Sequence, residues 1–170
     1  MQNMNSPIET ERKFLIRMPN TALLSSLENA RVMNMEQTYL VCENGNARVR
    51  RIEEGGKVRF IKTLKQRIST LSCYEFEEDI SALQYNEELK HADPSKSTVI
   101  KTRYAFPFGE HTIEIDVYPF WDDRAIFEVE LKNENESFEI PNFIDIIKEV
   151  SEDGRYKNTN LAKSIPFDAI

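Results

Sequence analysis

The stretch HTIEIDVY, which runs from His111 to Tyr118, alternates between charged and apolar side chains. A period of two is typical of a β-strand, because successive side chains point to opposite faces of the sheet. One face of this stretch carries Glu114 and Asp116, and the other carries two isoleucines and a valine. The stretch therefore predicts a strand with one apolar face and one charged face.

Similar stretches occur along the whole chain, and most are separated by turn signals such as Glu54-Gly55-Gly56 and Phe108-Gly109. They predict eight strands, at Ile8–Ile16, Gln37–Cys42, Ala47–Ile52, Lys57–Leu64, Cys73–Ile80, Thr98–Phe106, His111–Tyr118 and Ala125–Lys132. Helical patterns are fewer, and they predict helices at Asn20–Asn29, Ala82–His91, Phe143–Val150 and Asn158–Lys163.

Eight strands with few helices indicate an α+β chain that is mainly β. We expect the strands to close into an eight-stranded antiparallel β-barrel with a few flanking helices, because closure removes the exposed edges of a flat sheet. The chain has 170 residues and no internal repeat or linker rich in glycine and serine. We therefore expect residues 1–170 to form a single domain.

The composition restricts the class of protein. Apolar residues make up 40% and charged residues 30%, which is typical of a soluble globular protein. The segment Met1–Pro7 lacks the apolar core of a signal peptide, and no apolar run reaches the roughly 20 residues of a membrane-spanning helix. We therefore expect a cytoplasmic location, no membrane partner, and reduced thiols at Cys42 and Cys73.

The net charge is −7, from 29 acidic and 22 basic residues. This balance argues against a protein that coats nucleic acid, which needs a basic surface. It is compatible with a small anionic ligand bound by a local basic site inside an acidic shell. The sequence leaves the oligomeric state open.

The charged faces of the predicted strands carry like-sign pairs two residues apart, at a spacing of about 6.5–7 Å. These pairs are Glu9 with Glu11, Arg48 with Arg50, Glu75 with Glu77, Lys101 with Arg103, Glu114 with Asp116, and Glu128 with Glu130. One interpretation is that these faces are the solvated outside of a half-buried sheet. A solvated face, however, usually mixes charges with serine, threonine, asparagine and glutamine, and like charges repel each other.

A ligand that neutralises the pairs explains the pattern better. Acidic pairs suit divalent cations, which prefer carboxylate oxygens, and basic pairs suit phosphate oxygens. The charged faces therefore predict a ligand that carries several phosphates and arrives with a metal ion.

The stretch IETERKFL, at Ile8–Leu15, contains the Glu-x-Glu-x-Lys signature of the CYTH superfamily, whose members are also called triphosphate tunnel metalloenzymes. The chain resembles this superfamily from Ile8 to about Ala162. Further elements follow in the order of the family: ARVR at Ala47–Arg50, FIK at Phe60–Lys62, EFE at Glu75–Glu77, IKTRY at Ile100–Tyr104, HTIEIDVY at His111–Tyr118, FEVEL at Phe127–Leu131 and DGRYKNTNLA at Asp153–Ala162.

The resemblance implies a barrel that forms a tunnel with a charged lumen, a small-molecule triphosphate as substrate, and Mg²⁺ or Mn²⁺ as cofactor. The implied phosphate-binding residues are Lys13, Arg48, Arg50, Lys62, Lys101 and Arg103. The implied metal-binding residues are Glu9, Glu11, Asp116, Glu128 and Glu130. Three further lumen residues would lie behind the metal ligands or pair with basic residues, namely Glu75, Glu77 and Glu114.

The activity implied by the resemblance is metal-assisted hydrolysis of a phosphoanhydride, with inorganic tripolyphosphate ranked first as substrate. The alternatives are a class IV adenylate cyclase, a thiamine triphosphatase, and a non-catalytic module that binds polyphosphate or nucleotide. Both acidic clusters are present, which favours an enzyme over the binding module. Either Lys13 or a metal ion would activate the attacking water, and the number of ions, one or two, stays open.

The chain departs from the family at Cys73, where an arginine is common two residues before the first glutamate of the fifth strand. That phosphate contact is therefore either missing or supplied by a nearby basic residue such as Arg67. The sequence also predicts that Arg59, Lys65 and Lys90 are exposed to solvent.

Overall fold

The computed structural model describes residues 8–170, so the prediction about Met1–Pro7 lies outside the described residues. The strands are β1 (Ile8–Arg17), β2 (Arg31–Leu40), β3 (Asn46–Glu54), β4 (Lys57–Arg67), β5 (Ser72–Ile80), β6 (Val99–Phe108), β7 (His111–Val117), β8 (Arg124–Leu131) and β9 (Ile146–Glu149). The helices are α1 (Thr21–Ser26), α2 (Ala82–Leu89) and α3 (Asn158–Leu161), with a 3-10 turn at Gly154–Tyr156. None of the helices in the described part of the chain has the length and apolar character needed to cross a membrane.

Eight strands form a closed antiparallel barrel, which confirms the prediction. The order around the barrel is β1, β8, β7, β6, β2, β3, β4 and β5. β1 and β8 pair over eight residues. β5 returns to β1 through only three residue pairs, which begin with Ile8 opposite Tyr74 and end with Thr10 opposite Ser72. The barrel is therefore closed by a short seam between β1 and β5.

The segment Phe143–Val150 contains a strand, so the helix predicted there is wrong. Its residues Ile146–Glu149 form β9, which pairs antiparallel with the end of β1 around Leu15. The pairing with β5 ends at Thr10, so the remaining backbone groups on that edge of β1 need another partner. β9 supplies it, and this pairing overrides the helix-like spacing of the apolar residues.

β2 begins at Arg31, well before the predicted start at Gln37. The added part contains Met33 and Met35, which alternate with polar neighbours and point into the barrel. Methionine is a strong helix former, so the intrinsic preference of these residues argues against a strand, although their alternation fits one.

Many apolar side chains of the strands point outward, and helices cover part of this outer surface, whereas Tyr74 and Phe76 of β5 stay exposed. α1 packs Leu24 into a cluster with Phe14 and Phe127 of the barrel wall. On another side, α2 packs Tyr85 against Val49 of β3. Much of the apolar core therefore lies outside the barrel wall, and the charged faces point inward.

One end of the barrel is filled by an apolar cluster. Trp121 and Tyr156 pack there with Leu15 of β1 and Ile126 of β8. Leu15 and Ile126 lie on the same strand faces as the lumen charges, because they are two residues beyond Lys13 and two before Glu128. The charged part of the lumen therefore ends at an apolar floor on this side.

Candidate active site in the barrel lumen

The inner faces of the strands enclose a cavity of about 360 Å³. Charged side chains from all eight strands of the barrel line this lumen cavity: Glu9, Glu11, Arg31, Arg48, Arg50, Arg59, Lys65, Glu75, Glu77, Arg103, Glu114, Glu128 and Glu130. These like-sign pairs therefore face the lumen and do not form the solvated outside of the sheet.

Arg48 and Arg50 form a basic pair on β3. The Nη2 atom of Arg50 donates to Oε1 of Glu77 at 2.6 Å. The Nε atoms of both arginines are buried, and neither has a hydrogen-bond acceptor among the described residues. Burial and repulsion by Arg48 lower the pKa of Arg50 to about 10. A buried N–H without an acceptor costs free energy, so the Nε groups of this pair can still accept an anionic partner.

Lys101 and Arg103 on β6 share one carboxylate. Asp116 accepts from Nζ of Lys101 at 2.8 Å and from Nε of Arg103 at 2.7 Å. Although burial opposes it, the two cations hold the pKa of Asp116 well below its usual range. Since one carboxylate serves two cations, burial and repulsion by Arg103 still lower the pKa of Lys101 to about 8. Lys101 and Asp116 are buried beneath the lumen surface, whereas Arg103 lines the cavity.

Lys13 lies at the inner end of the lumen. Its Nζ atom is 3.2 Å from Oε1 of Glu128 and donates to the backbone carbonyl of Tyr156 at 3.4 Å. Although burial opposes it, Glu128 and Glu11 raise the pKa of Lys13 above its usual value. The side chain is therefore held as an ammonium group, which suits contact with an anion better than proton abstraction.

Four glutamates from three strands lie close together on the acidic side of the lumen, namely Glu9, Glu11, Glu75 and Glu130. Burial and the neighbouring charge of Glu11 raise the pKa of Glu9, which also shares a hydrogen bond with Glu75. Burial and repulsion by Glu75 and Glu11 raise the pKa of Glu130. Within residues 8–170, Glu130 has no ion pair with a cation, so negative charge here is only partly compensated.

Lys65 is the cation of this acidic side, and the prediction that it is exposed is wrong. Its Nζ atom lies 3.2 Å from Glu9 and 2.9 Å from Glu75. Lys62, which was predicted to bind phosphate, lies instead on the outer face of β4 and pairs with Glu88 of α2 at 2.7 Å. The alternation along β4 places Ile61, Thr63 and Lys65 on the inner face, so Lys62 must point outward.

The remaining predicted lumen glutamates each pair with a basic residue. Glu77 pairs with Arg50, and Glu114 lies 2.7 Å from Arg103. Arg59 is exposed at the rim of the cavity, as predicted.

An apolar patch on the lumen wall was missed by the sequence analysis. Met33, Met35, Ile52, Ile61 and Ala105 form one buried cluster and also line the lumen cavity. The alternation of Met33 and Met35 is the signal in the sequence that could have predicted the patch.

Cys73 occupies the position where the family commonly has an arginine. Burial raises the pKa of its thiol, which is 8% exposed. Arg67 lies opposite Cys73 across the β4–β5 pairing, and its Nη1 atom donates to the carbonyls of Ser69 and Thr70. The guanidinium of Arg67 therefore lies beside Cys73, where this chain lacks the arginine that is common in the family.

The carboxylates suit a hard divalent cation, because they are oxygen donors whose charges are incompletely neutralised. Within residues 8–170, no group of three or more carboxylate, imidazole or thiol side chains is already arranged to hold a metal ion. Asp116 is fully engaged by Lys101 and Arg103, so its oxygens are less available than those of Glu9 or Glu130. This donor set fits Mg²⁺, which commonly uses one or two carboxylates and completes its coordination with substrate phosphates and water.

Comparisons with known proteins agree with this architecture. The chain matches the family model of the CYTH domain over residues 7–165. It is similar to the crystal structure of the inorganic triphosphatase NE1496, with 28% sequence identity, a TM-score of 0.55, and coverage of 94% of this chain and 97% of that chain. A protein from Pyrococcus horikoshii, PH1819, shares the fold at 18% identity, with a TM-score of 0.57 and coverage of 75% and 81%. A comparison with curated protein sequences gives no significant match.

Proposed function

The chain belongs to the CYTH domain family, and on that premise we propose that it is a metal-dependent triphosphatase that hydrolyses inorganic tripolyphosphate in the barrel lumen. The observation that carries the proposal is the pair Arg48 and Arg50, whose buried Nε atoms have no acceptor within residues 8–170. Phosphate oxygens would satisfy both groups, because guanidinium N–H forks match their geometry. The likeness to the inorganic triphosphatase NE1496 supports the same substrate class.

In the proposed complex, the phosphate chain lies along the basic side of the lumen, where Arg48, Arg50 and Arg103 contact its oxygens. Lys13 binds the phosphate at the inner end as an ammonium group. Lys101 supports this side from beneath through its contact with Asp116. These fixed charges would stabilise the charge that develops on the transferred phosphoryl group without reorganising during the reaction.

Glu9, Glu11, Glu128 and Glu130 are the proposed donors for Mg²⁺ or Mn²⁺, and Asp116 would join them only if its ion pairs open. When bound with substrate, the metal would neutralise phosphate charge and lower the pKa of a coordinated water. Glu75 and Glu77 hold Lys65 and Arg50 in place around the ligand.

A second candidate is hydrolysis of an organic triphosphate, such as a nucleoside or thiamine triphosphate. The apolar patch around Met33 and Ile52 favours it, because this patch offers contact surface to an organic group beside the phosphate-binding residues. A class IV cyclase activity would use the same lumen and would yield a cyclic nucleotide from ATP.

The test is a phosphate-release assay that compares tripolyphosphate, ATP and thiamine triphosphate, each with Mg²⁺, Mn²⁺ or a chelator. The proposal expects metal-dependent cleavage with the highest kcat/KM for tripolyphosphate. A tenfold preference for an organic triphosphate would favour the second candidate, and cyclic AMP as the main product from ATP would favour the cyclase. Absence of cleavage of all three substrates with either metal would contradict an enzymatic role.

We further propose that residues 1–170 form one tunnel domain and that the protein acts in the cytoplasm. The family match over residues 7–165 supports the first proposal, and the two cysteines, Cys42 and Cys73, which form no disulfide, support the second.

A further inference from the structure

A basic opening lies at the end of the barrel where the edge of β1 pairs with β9 and no longer with β5. It is lined by Lys13 of β1, Arg67 at the end of β4, and Lys157 next to the 3-10 turn. The cavity behind this opening measures about 80 Å³, which exceeds the space of one water molecule. Arg48 and Lys65 line both this cavity and the lumen cavity, so the two spaces adjoin.

The charges around the opening are strongly one-sided. Five cations line its cavity, namely Lys13, Arg48, Lys65, Arg67 and Lys157, together with one carboxylate, that of Glu11. Within residues 8–170, neither Arg67 nor Lys157 forms an ion pair with a carboxylate. Burial and repulsion by Arg67 and Lys13 lower the pKa of Lys157, so these cations are near enough to oppose one another.

Arg67 is also positioned for a ligand. Its Nη1 atom donates to the carbonyls of Ser69 and Thr70, which fixes the guanidinium at the rim and leaves its other N–H groups available. Asn46 and Thr159 line the same cavity and add neutral hydrogen-bonding groups. Converging cations with polar neighbours and little acidic charge match the chemistry of a phosphate group.

We propose that this basic opening binds a single phosphate group at Arg67 and Lys157, next to the phosphate of the triphosphate that Lys13 holds at the inner end of the lumen. The group is either orthophosphate, which is released when water cleaves tripolyphosphate into diphosphate and orthophosphate, or the fourth phosphate of a longer chain. The identity of the source rests on the proposed function, whereas the anion site itself rests on Arg67 and Lys157 beside Lys13.

The first experiment measures orthophosphate binding by calorimetry on the metal-free protein in chelator. It uses an Arg50→Gln background, which removes a cation from the lumen and so weakens binding there. Adding Arg67→Gln and Lys157→Gln should weaken the binding of orthophosphate at least tenfold, which corresponds to about 1.4 kcal/mol. The matched control is Lys163→Gln, an exposed lysine on the same C-terminal segment that does not line the opening, and it should leave binding within twofold.

Equal isotherms with and without the Arg67 and Lys157 substitutions would overturn the proposal. Because this measurement needs no turnover, its outcome is independent of the triphosphatase assay. Loss of binding in a protein without triphosphatase activity would contradict the proposed function and leave the anion site supported.

The second experiment identifies the source of the phosphate in the otherwise wild-type enzyme. If the site holds the product, the double variant should show at least a tenfold higher inhibition constant for orthophosphate and an unchanged ratio of kcat/KM for tetrapolyphosphate and tripolyphosphate. If the site holds a fourth phosphate, that ratio should fall tenfold. No change in either quantity would contradict a role for the opening in the reaction.

Discussion

Arg48 and Arg50 lower the stability of the ligand-free barrel. They sit two residues apart on one strand, they repel each other, and their buried Nε atoms have no acceptor within the described residues. The lowered pKa of Arg50 means that folding disfavours its charged form. Such residues are expected to serve binding more than stability.

Replacing Arg50 with glutamine should therefore lower kcat/KM for tripolyphosphate by about 10- to 1,000-fold, or about 1.4–4 kcal/mol of transition-state stabilisation. The midpoint of urea unfolding should hold or rise, because an unfavourable buried charge is removed. Steady-state phosphate release and urea titration measure the two effects. The matched control is Lys62→Gln, because Lys62 pairs with Glu88 on the outer face and should change activity less than twofold. A similar decrease in kcat/KM for Lys62→Gln would mean that the effect does not depend on a position in the lumen, and it would contradict the proposed role of Arg50.

Two neighbouring glutamates of β8 should respond in opposite ways to neutralisation. Glu130→Gln should raise the free energy of unfolding of the metal-free protein slightly, because partial burial and repulsion by Glu75 and Glu11 already disfavour this carboxylate. Glu128→Gln should lower it by about 3–5 kcal/mol, because Lys13 and Arg103 lose a buried partner. Urea titration in chelator measures both effects. Equal shifts of the same sign would show that the two carboxylates do not differ as the ion pairs indicate.

At the scale of the strand, alternation predicted most of the barrel. β3, β7 and β8 carry strict like-sign pairs opposite apolar residues, so both their existence and their inner faces could be predicted from the sequence. β4 has lysines on both faces, since Lys62 points outward and Lys65 inward. Its inner face is set by pairing with β3 and β5, which the residue types of β4 alone do not encode.

β9 shows another limit of local patterns. Its apolar residues have helix-like spacing, but the free edge of β1 beyond Thr10 requires a strand partner. This requirement arises only after the barrel has closed, so it is a tertiary effect that no local window contains. The ion pairs that occupy Asp116 and the basic opening at Arg67 and Lys157 depend in the same way on residues that are distant in sequence.

The capping box of α2 offers a test at the scale of the helix. Ser81 accepts from the N–H of Gln84, and the Gln84 side chain accepts from the N–H of Ser81. Ser81→Ala should lower the free energy of unfolding by about 1 kcal/mol, because the first turn loses an acceptor. The control for urea titration is Ser164→Ala, an exposed serine near the C-terminal end, which should stay within about 0.5 kcal/mol. Equal effects of the two substitutions would contradict a stabilising role for the cap.

The stability of the whole molecule should depend on pH through Lys101. Its pKa is about 8 in the folded protein against 10.5 as the ordinary value, so between these pH values the unfolded chain binds more protons at this residue. The contribution of Lys101 to the free energy of unfolding should therefore rise with pH across this window, by up to about 1.4 kcal/mol per pH unit.

The measurement is urea titration of the wild type and of Lys101→Met between pH 7 and pH 10. The difference between the two proteins should shift in favour of the wild type as the pH increases, because the variant lacks the titrating group. Curves that stay parallel over this range would contradict a lowered pKa for Lys101.

The three-pair seam between β1 and β5 is the shortest contact between neighbouring strands of the barrel, so we expect the barrel to open there first. Glu9 lies on the β1 side of the seam and Glu75 on the β5 side. A bound cation, or a metal ion bound to phosphate, that contacts both carboxylates would hold the two strands together. The N–H of Glu11 donates to the carbonyl of Leu71 beside the seam and reports on its opening. We expect this amide to exchange with deuterium through local opening in the free protein and at least tenfold more slowly with Mg²⁺ and a non-hydrolysable triphosphate. Equal exchange rates in the two states would mean that the seam stays closed without the ligand, and that the triphosphate enters the lumen only through the ends of the barrel.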